Sequence, residues 1–247
     1  MPDAGPADGA SAAADAGDSG SSVDGANAEH PYVAAVRADA PVSWYRFEED
    51  SGANVARDEI GGHDATLVAG AMGFGAEGIA GRGLASDGTG AGLQIGDVYD
   101  FDGTVPFTLE LWVDPTPTTI DQRIVNKRAE GSGPLLGYIL YVAGKDHAVN
   151  FEGWGVSLAA WSDTPLPARF THVVVTVAYE NGKGNATLWL DAQPQPHSGF
   201  DNVDKMPNTK RPLRLLEDFK GRADEVAIYD KALSAARILE HYRAGTR

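Results

Sequence analysis

Apolar residues alternate with polar or small ones over most of this chain, and a period of two predicts strands rather than helices. Phe107, Leu109, Leu111 and Val113 form one unbroken apolar row in PFTLELWVD, which predicts a strand in the middle of a sheet. FTHVVVTVAY, residues 170–179, repeats the pattern, and the Asn-Gly step of ENGKGN predicts a hairpin into ATLWLD. Shorter strands are predicted at residues 66–68, 83–86 and 92–95 within a glycine-rich stretch, then at QRIVNKR, GYILYVA, HAVNFEG and GVSLAAW. VSWYRFEE carries aromatics at alternating positions of both parities, which implies cover on both faces. Short strands at this spacing suit a sandwich or barrel, not βαβ units.

The period changes twice. PYVAAVRADAP predicts a short helix through Val33, Val36 and Arg37, stopped by Pro41. In GRADEVAIYDKALSAARILEHY, Val226 and Ile228 alternate with Ala227 and Tyr229 as a strand, after which Ala235, Ile238, Leu239 and Tyr242 recur at helical spacing. Ser234 stands where an N-cap would accept a bond from the first turn.

Composition sets the bounds. Residues 1–30 are Ala, Gly, Ser, Asp and Pro with one valine and no aromatic, so they cannot bury enough apolar surface to offset their ordering entropy. A disordered acidic tether over 1–30 and one domain over 31–247 are expected. The tether composition is similar to the spacer of bacterial surface lipoproteins, which implies an extracellular or cell-surface protein with a lipid-anchored tether in its full-length form. An inert linker is the alternative. No 18-residue apolar run predicts a membrane span, and no signal-peptide pattern is visible. The formal charge of −15 and the lack of a cation cluster along the sequence argue against nucleic acid as a partner. With no cysteine, disulfides and thiolate chemistry are excluded.

Chemical motifs are few. GFGAEG matches G-x-G-x-x-G, but the following IAGRG cannot open a helix, so it reads as a loop. No two histidines share an i, i+4 metal spacing, and His172 reads as a buried histidine bonded to a neighbour. No Glu-x-Asp-x-x-Glu run exists, and Glu110, whose second neighbour is Trp112, reads as a solvent-facing residue. Tyr141, Phe151, Trp154 and Trp161 fall in consecutive strands or their loops and form the candidate ligand-binding set, because flat rings stack on the apolar faces of sugars. The alternative for each is a place in the core.

Taken in order, YRFEE, FTLELWV, the His172-Val173 strand, the hairpin into Leu188-Trp189-Leu190-Asp191, and GRADEVAIYDKALS before a helix resemble laminin-G-like domains of the concanavalin A-like lectin/glucanase superfamily. Two departures stand out: Phe170 replaces a Trp and Ala192 a Gly. The resemblance implies an all-β, two-sheet antiparallel jelly-roll sandwich with a short C-terminal helix. It implies a non-catalytic binding module for a glycan or cell-surface protein. It also implies one structural Ca²⁺ held by Asp58 and Asp224, with Glu48 as third ligand. Asp58 reads equally as a turn cap, and Asp224 as a partner of Arg222 or Arg57. A glycoside hydrolase or lyase on the same fold, and a purely structural spacer domain, are the rival functions.

Overall fold

A computed structural model describes residues 29–129, 136–154, 158–181, 183–199 and 207–247. The expected tether lies outside these residues except for Glu29 and His30. Two antiparallel sheets face each other. The first contains, in spatial order, Gln193–Pro194, Lys183–Leu190, Thr171–Glu180, Phe107–Pro115, Lys220–Tyr229, Arg82–Asp87 and Met72–Glu77, and Ser43–Tyr45 also pairs with Lys220–Tyr229. The second runs His197–Gly199, Leu158–Pro165, Ala148–Trp154, Gly137–Val142, Gln122–Arg128, Leu213–Glu217, Gly92–Gly96, Ala65–Ala69 and Val55–Ala56. The chain is therefore an all-β sandwich, eight strands against nine.

Alternation explains which side chains fill it. Phe107, Leu109, Leu111 and Val113 point between the sheets with Val173, Val175 and Val177 and meet Tyr138, Leu140, Val149 and Phe151 of the facing sheet. Removing one such leucine side chain costs roughly 2–5 kcal/mol, since the cavity refills poorly. The opposite parity of the same strands, with Trp112, Val174, Ala227 and Tyr229, packs under a layer made of the helices Pro31–Ala38 and Ala235–Gly245. Both helices start on a side-chain cap: His30 Nδ1 accepts from Tyr32 N, and Ser234 Oγ accepts from Arg237 N. The first ends at Asp39, two residues before Pro41, as the proline requires.

Two local details differ from the sequence pattern. GFGAEG lies on the strand Met72–Glu77 rather than in a loop, and the turn falls immediately after it, where Gly78 N donates to Gly81 O. The long strand Lys220–Tyr229 is interrupted by a bulge between Asp224 and Ala227, with Glu225 at φ +54°. The bulge lets one strand serve two neighbours on the same side, Arg82–Asp87 along its first half and Ser43–Tyr45 along its second.

Candidate functional site

The nine-stranded sheet turns one face to the core and one outward, and strand parity sorts the expected ligand residues between them. Register places Tyr141 opposite Asn150, and Asn150 opposite Trp161, which stands opposite His197. These four residues form one row across four strands on the outward face, all partly exposed. Trp161 stacks on His197 with ring centroids 5.0 Å apart and planes 5° from parallel. His197 Nε2 lies 2.6 Å from Asp163 Oδ1, which fixes the imidazole edge and holds the stack. Tyr141 donates its hydroxyl to Glu152 Oε1 at 2.7 Å. Phe151 has the other parity and is fully buried against Phe107, so it packs the core and cannot touch a ligand. Trp154 ends its strand, and its side chain lies outside the described residues.

The three expected calcium ligands do not form one site. Asp58 already accepts from four donors: Trp44 N and Ile60 N on Oδ1, and Ser43 Oγ and His63 N on Oδ2. Burial opposes its charge, but the Ser43 hydroxyl and these backbone amides hold its carboxyl below the usual range. A carboxylate offers about four lone-pair sites, so nothing is left for an ion. Asp224 is fully buried and takes Ile79 N, Ala80 N and Glu225 N, with no bond to Arg222 or Arg57. Glu48 takes Arg46 Nη2 and Arg82 N. Among the described residues no three His, Asp or Glu side chains are grouped so as to hold a metal ion. The donor set is that of turn caps and ion pairs, and it does not fit Ca²⁺.

Asp224 and Glu225 form a sealed acidic pair. Glu225, also 0% exposed, receives Trp44 Nε1 at 2.7 Å and Arg46 Nε at 3.1 Å. Burial pushes both carboxyls upward, helped by the charge of Glu48 at Asp224 and by the charge of Asp224 at Glu225. Gly78 is required above them: a Cβ there would come within 2.3 Å of Asp224 Oδ2.

A polar cluster lies under the helices and centres on Glu110, which is buried rather than solvent-facing. Its Oε1 accepts from Tyr32 Oη at 3.0 Å, His172 Nε2 at 2.8 Å and His241 Nδ1 at 2.9 Å, and its Oε2 accepts from Tyr229 Oη at 2.8 Å. His172 is thus buried and bonded to a neighbour, as its strand position predicts. His241 Nε2 makes an ion-pair contact of 2.9 Å with Asp39 Oδ2, out of line for a hydrogen bond. Asp39 in turn accepts from Arg237 Nε at 2.7 Å. Burial alone would raise the Glu110 carboxyl, but the charge of His241 and the bonds from both imidazoles hold it well below its ordinary value. Burial likewise works against charge on His241, yet Glu110 and Asp39 keep its pKa raised. Trp112 stacks on His172 at 4.7 Å and on Tyr242 at 6.0 Å, closing the cluster to solvent. Nothing in the periodicity singles out Tyr32, Tyr229 or His241 as partners. The one local signal is a carboxylate embedded in FTLELWV, a strand apolar on its other face.

Residues 87–239 match the family described as the concanavalin A-like lectin/glucanases superfamily. Among solved structures, the Trypanosoma rangeli sialidase in complex with the inhibitor DANA is similar, with TM-score 0.58 and 17% identity over 81% of this chain. The chain spans only 32% of that sialidase. Domain 4 of AbnA, a GH43 extracellular arabinanase from Geobacillus stearothermophilus, solved in complex with arabinotriose, aligns over 82% of this chain and 98% of its own length, with TM-score 0.57 and 17% identity. The Botulinum neurotoxin serotype G binding domain aligns over 83% of this chain and 51% of its own, with TM-score 0.58 and 12% identity. At such identities the likeness is one of fold. No curated protein matches the chain in sequence.

Proposed function

The chain belongs to the concanavalin A-like lectin/glucanases superfamily, and from that premise we propose that it is a non-catalytic module that binds a glycan on the outward face of its nine-stranded sheet. The observation that carries this reading is the row Tyr141, Asn150, Trp161 and His197, in register across four strands. A pyranose has an apolar face and a polar rim. The Trp161–His197 stack offers the flat surface, while the Asn150 amide and the Tyr141–Glu152 pair offer hydrogen bonds at its edge. A platform held by rigid strands recognises shape without ordering a loop, which lowers the entropy cost of binding. The arabinotriose complex of AbnA domain 4, a chain aligned over nearly its whole length, supports a glycan over a protein partner.

Binding without cleavage is supported by where the perturbed carboxylates sit. Glycoside hydrolysis needs two carboxyl groups flanking the scissile bond. Glu110, Asp224 and Glu225 have the strongest shifts, yet none is more than 1% exposed and all are fully bonded to protein groups. A glycan array followed by calorimetry on the hits tests the reading. At least one oligosaccharide is expected to bind, and Trp161→Ala is expected to weaken it by tenfold or more, the equivalent of about 1.4 kcal/mol. An array without hits, or hits indifferent to Trp161→Ala, would overturn it.

A further inference from the structure

On the same outward face, one residue pair along from the aromatic row, Asn126, Arg128, Arg211, Pro212 and Arg214 line a cleft of about 70 Å³. Arg211 and Arg214 are close along the sequence, but Arg128 and Asn126 are far from them in it. The register brings them together: Arg214 stands opposite Asn126 on the neighbouring strand, Arg128 follows two residues on, and Arg211 sits just before Leu213–Glu217. Glu217 builds the cleft. Its Oε1 takes Arg214 Nη1 at 2.7 Å and its Oε2 takes Asn126 Nδ2 at 2.7 Å, so both side chains are oriented before any ligand arrives. Among the described residues Arg214 donates only through Nη1, which leaves Nε and Nη2 of its planar fork for a ligand.

We infer that this cleft is a subsite for one oxyanion, a carboxylate or a sulfate, carried on the glycan that the aromatic row binds. The inference rests on the glycan reading above. One water needs about 10–15 Å³ of cleft space, so the cleft has room for one small anionic group of a few heavy atoms and not for a string of them. The formal charge of −15 also repels a polyanion. The ligand is therefore an otherwise neutral oligosaccharide with a single acidic sugar. Arg214 and Trp161 are four strands and one residue pair apart, about 20 Å at ordinary strand spacing, a distance that an extended oligosaccharide bridges.

The test is calorimetry with three versions of each array hit: neutral, carrying one uronate, and carrying one sulfate. The acidic versions are expected to bind about tenfold tighter than the neutral one, and whichever of uronate and sulfate gains more identifies the source. Arg214→Ala is expected to abolish that gain and leave the neutral version unaffected. Arg214→Lys, which keeps charge but loses the fork, is expected to restore only part of it. Arg214→Ala also removes one partner of Glu217, so thermal melts of both variants should show at most a small loss, with the fold retained. Equal binding of neutral and acidic versions, or an acidic preference that survives Arg214→Ala, overturns this subsite and leaves the glycan reading standing. Binding of none of the three overturns both.

Discussion

Outward residues of the two sheets meet different fates. On the eight-stranded sheet Glu110, Trp112 and His172 lie under two helices, with Glu110 receiving two tyrosine hydroxyls and two imidazoles. On the nine-stranded sheet Tyr141, Asn150 and Trp161 remain partly exposed. Both faces hold aromatics and hydrogen-bonding groups. What differs is the added layer, which turns one set into an anchor for the helices and leaves the other open to solvent. Residue type alone does not tell a binding surface from a buried clamp. Cover does.

If that contrast is sound, perturbing the clamp should alter stability and spare binding, and perturbing the open face should do the reverse. The largest effect is expected from Glu110→Ala, which removes the shared acceptor of two imidazoles and two tyrosine hydroxyls. It should cost about 3–5 kcal/mol in denaturant unfolding, with glycan affinity unchanged in the folded fraction. Trp161→Ala should show the mirror image, a tenfold or greater loss of glycan affinity with less than about 0.5 kcal/mol of stability. Equal effects of either variant on both measurements would dissolve the distinction.

The pH dependence of stability sharpens the comparison further. Glu110 and Asp58 have depressed carboxyl pKa values, so their contribution is present above the ordinary carboxylate range and is lost as pH falls through the folded values. His241 is raised, so its contribution is complete below about 6.5 and is lost as pH rises through its folded value. Asp224 and Glu225 are also raised, so their contribution begins to be lost as pH climbs out of the ordinary carboxylate range and the loss is complete above their folded values. Stability should therefore peak in mildly acidic solution. Melting curves between pH 4 and pH 9 check this, and His241→Gln should flatten the neutral-to-alkaline limb. The smallest effect concerns calcium. With the Asp58 and Asp224 oxygens occupied by protein donors, Ca²⁺ and a chelator should give the same melting temperature. A bound ion would raise it by mass action.

The sandwich is legible in the sequence because alternation is local. The rows Phe107–Leu109–Leu111–Val113 and Val173–Val175–Val177, and the strand-to-helix switch at Ser234, need only near neighbours to be recognised. Tyr141 and Trp161 can be named as ligand candidates for the same reason. Phe151 differs from them by one position of parity, and one position decides between core and surface. Glu110 reads as solvent-facing because its strand alone leaves it uncovered, and the covering helices come from residues 31–38 and 235–245. Arg128 meets Arg211 and Arg214 only once strand register exists. The bonding of Asp58 rests on a further non-local fact, namely that backbone amides of residues 44, 60 and 63 reach it.

The strand Lys220–Tyr229 carries one more consequence, for the order in which the protein assembles. It lies between Phe107–Pro115 on one side and Arg82–Asp87 and Ser43–Tyr45 on the other, so the eight-stranded sheet has no continuous middle until it is in place. The Trp44–Glu225 hydrogen bond spans 181 residues. Contacts of such sequence separation fold slowly, because loop closure precedes their reward. At synthesis rates of about 5–20 residues per second, the Ser43–Tyr45 and Phe107–Pro115 strands wait many seconds with unpaired edges. Such edges are templates for association with other chains. The nascent chain is thus most exposed to aggregation and most dependent on chaperones just before residues 220–229 emerge from the ribosome, and a chain shortened before that point would carry two half-sheets with no means of joining them.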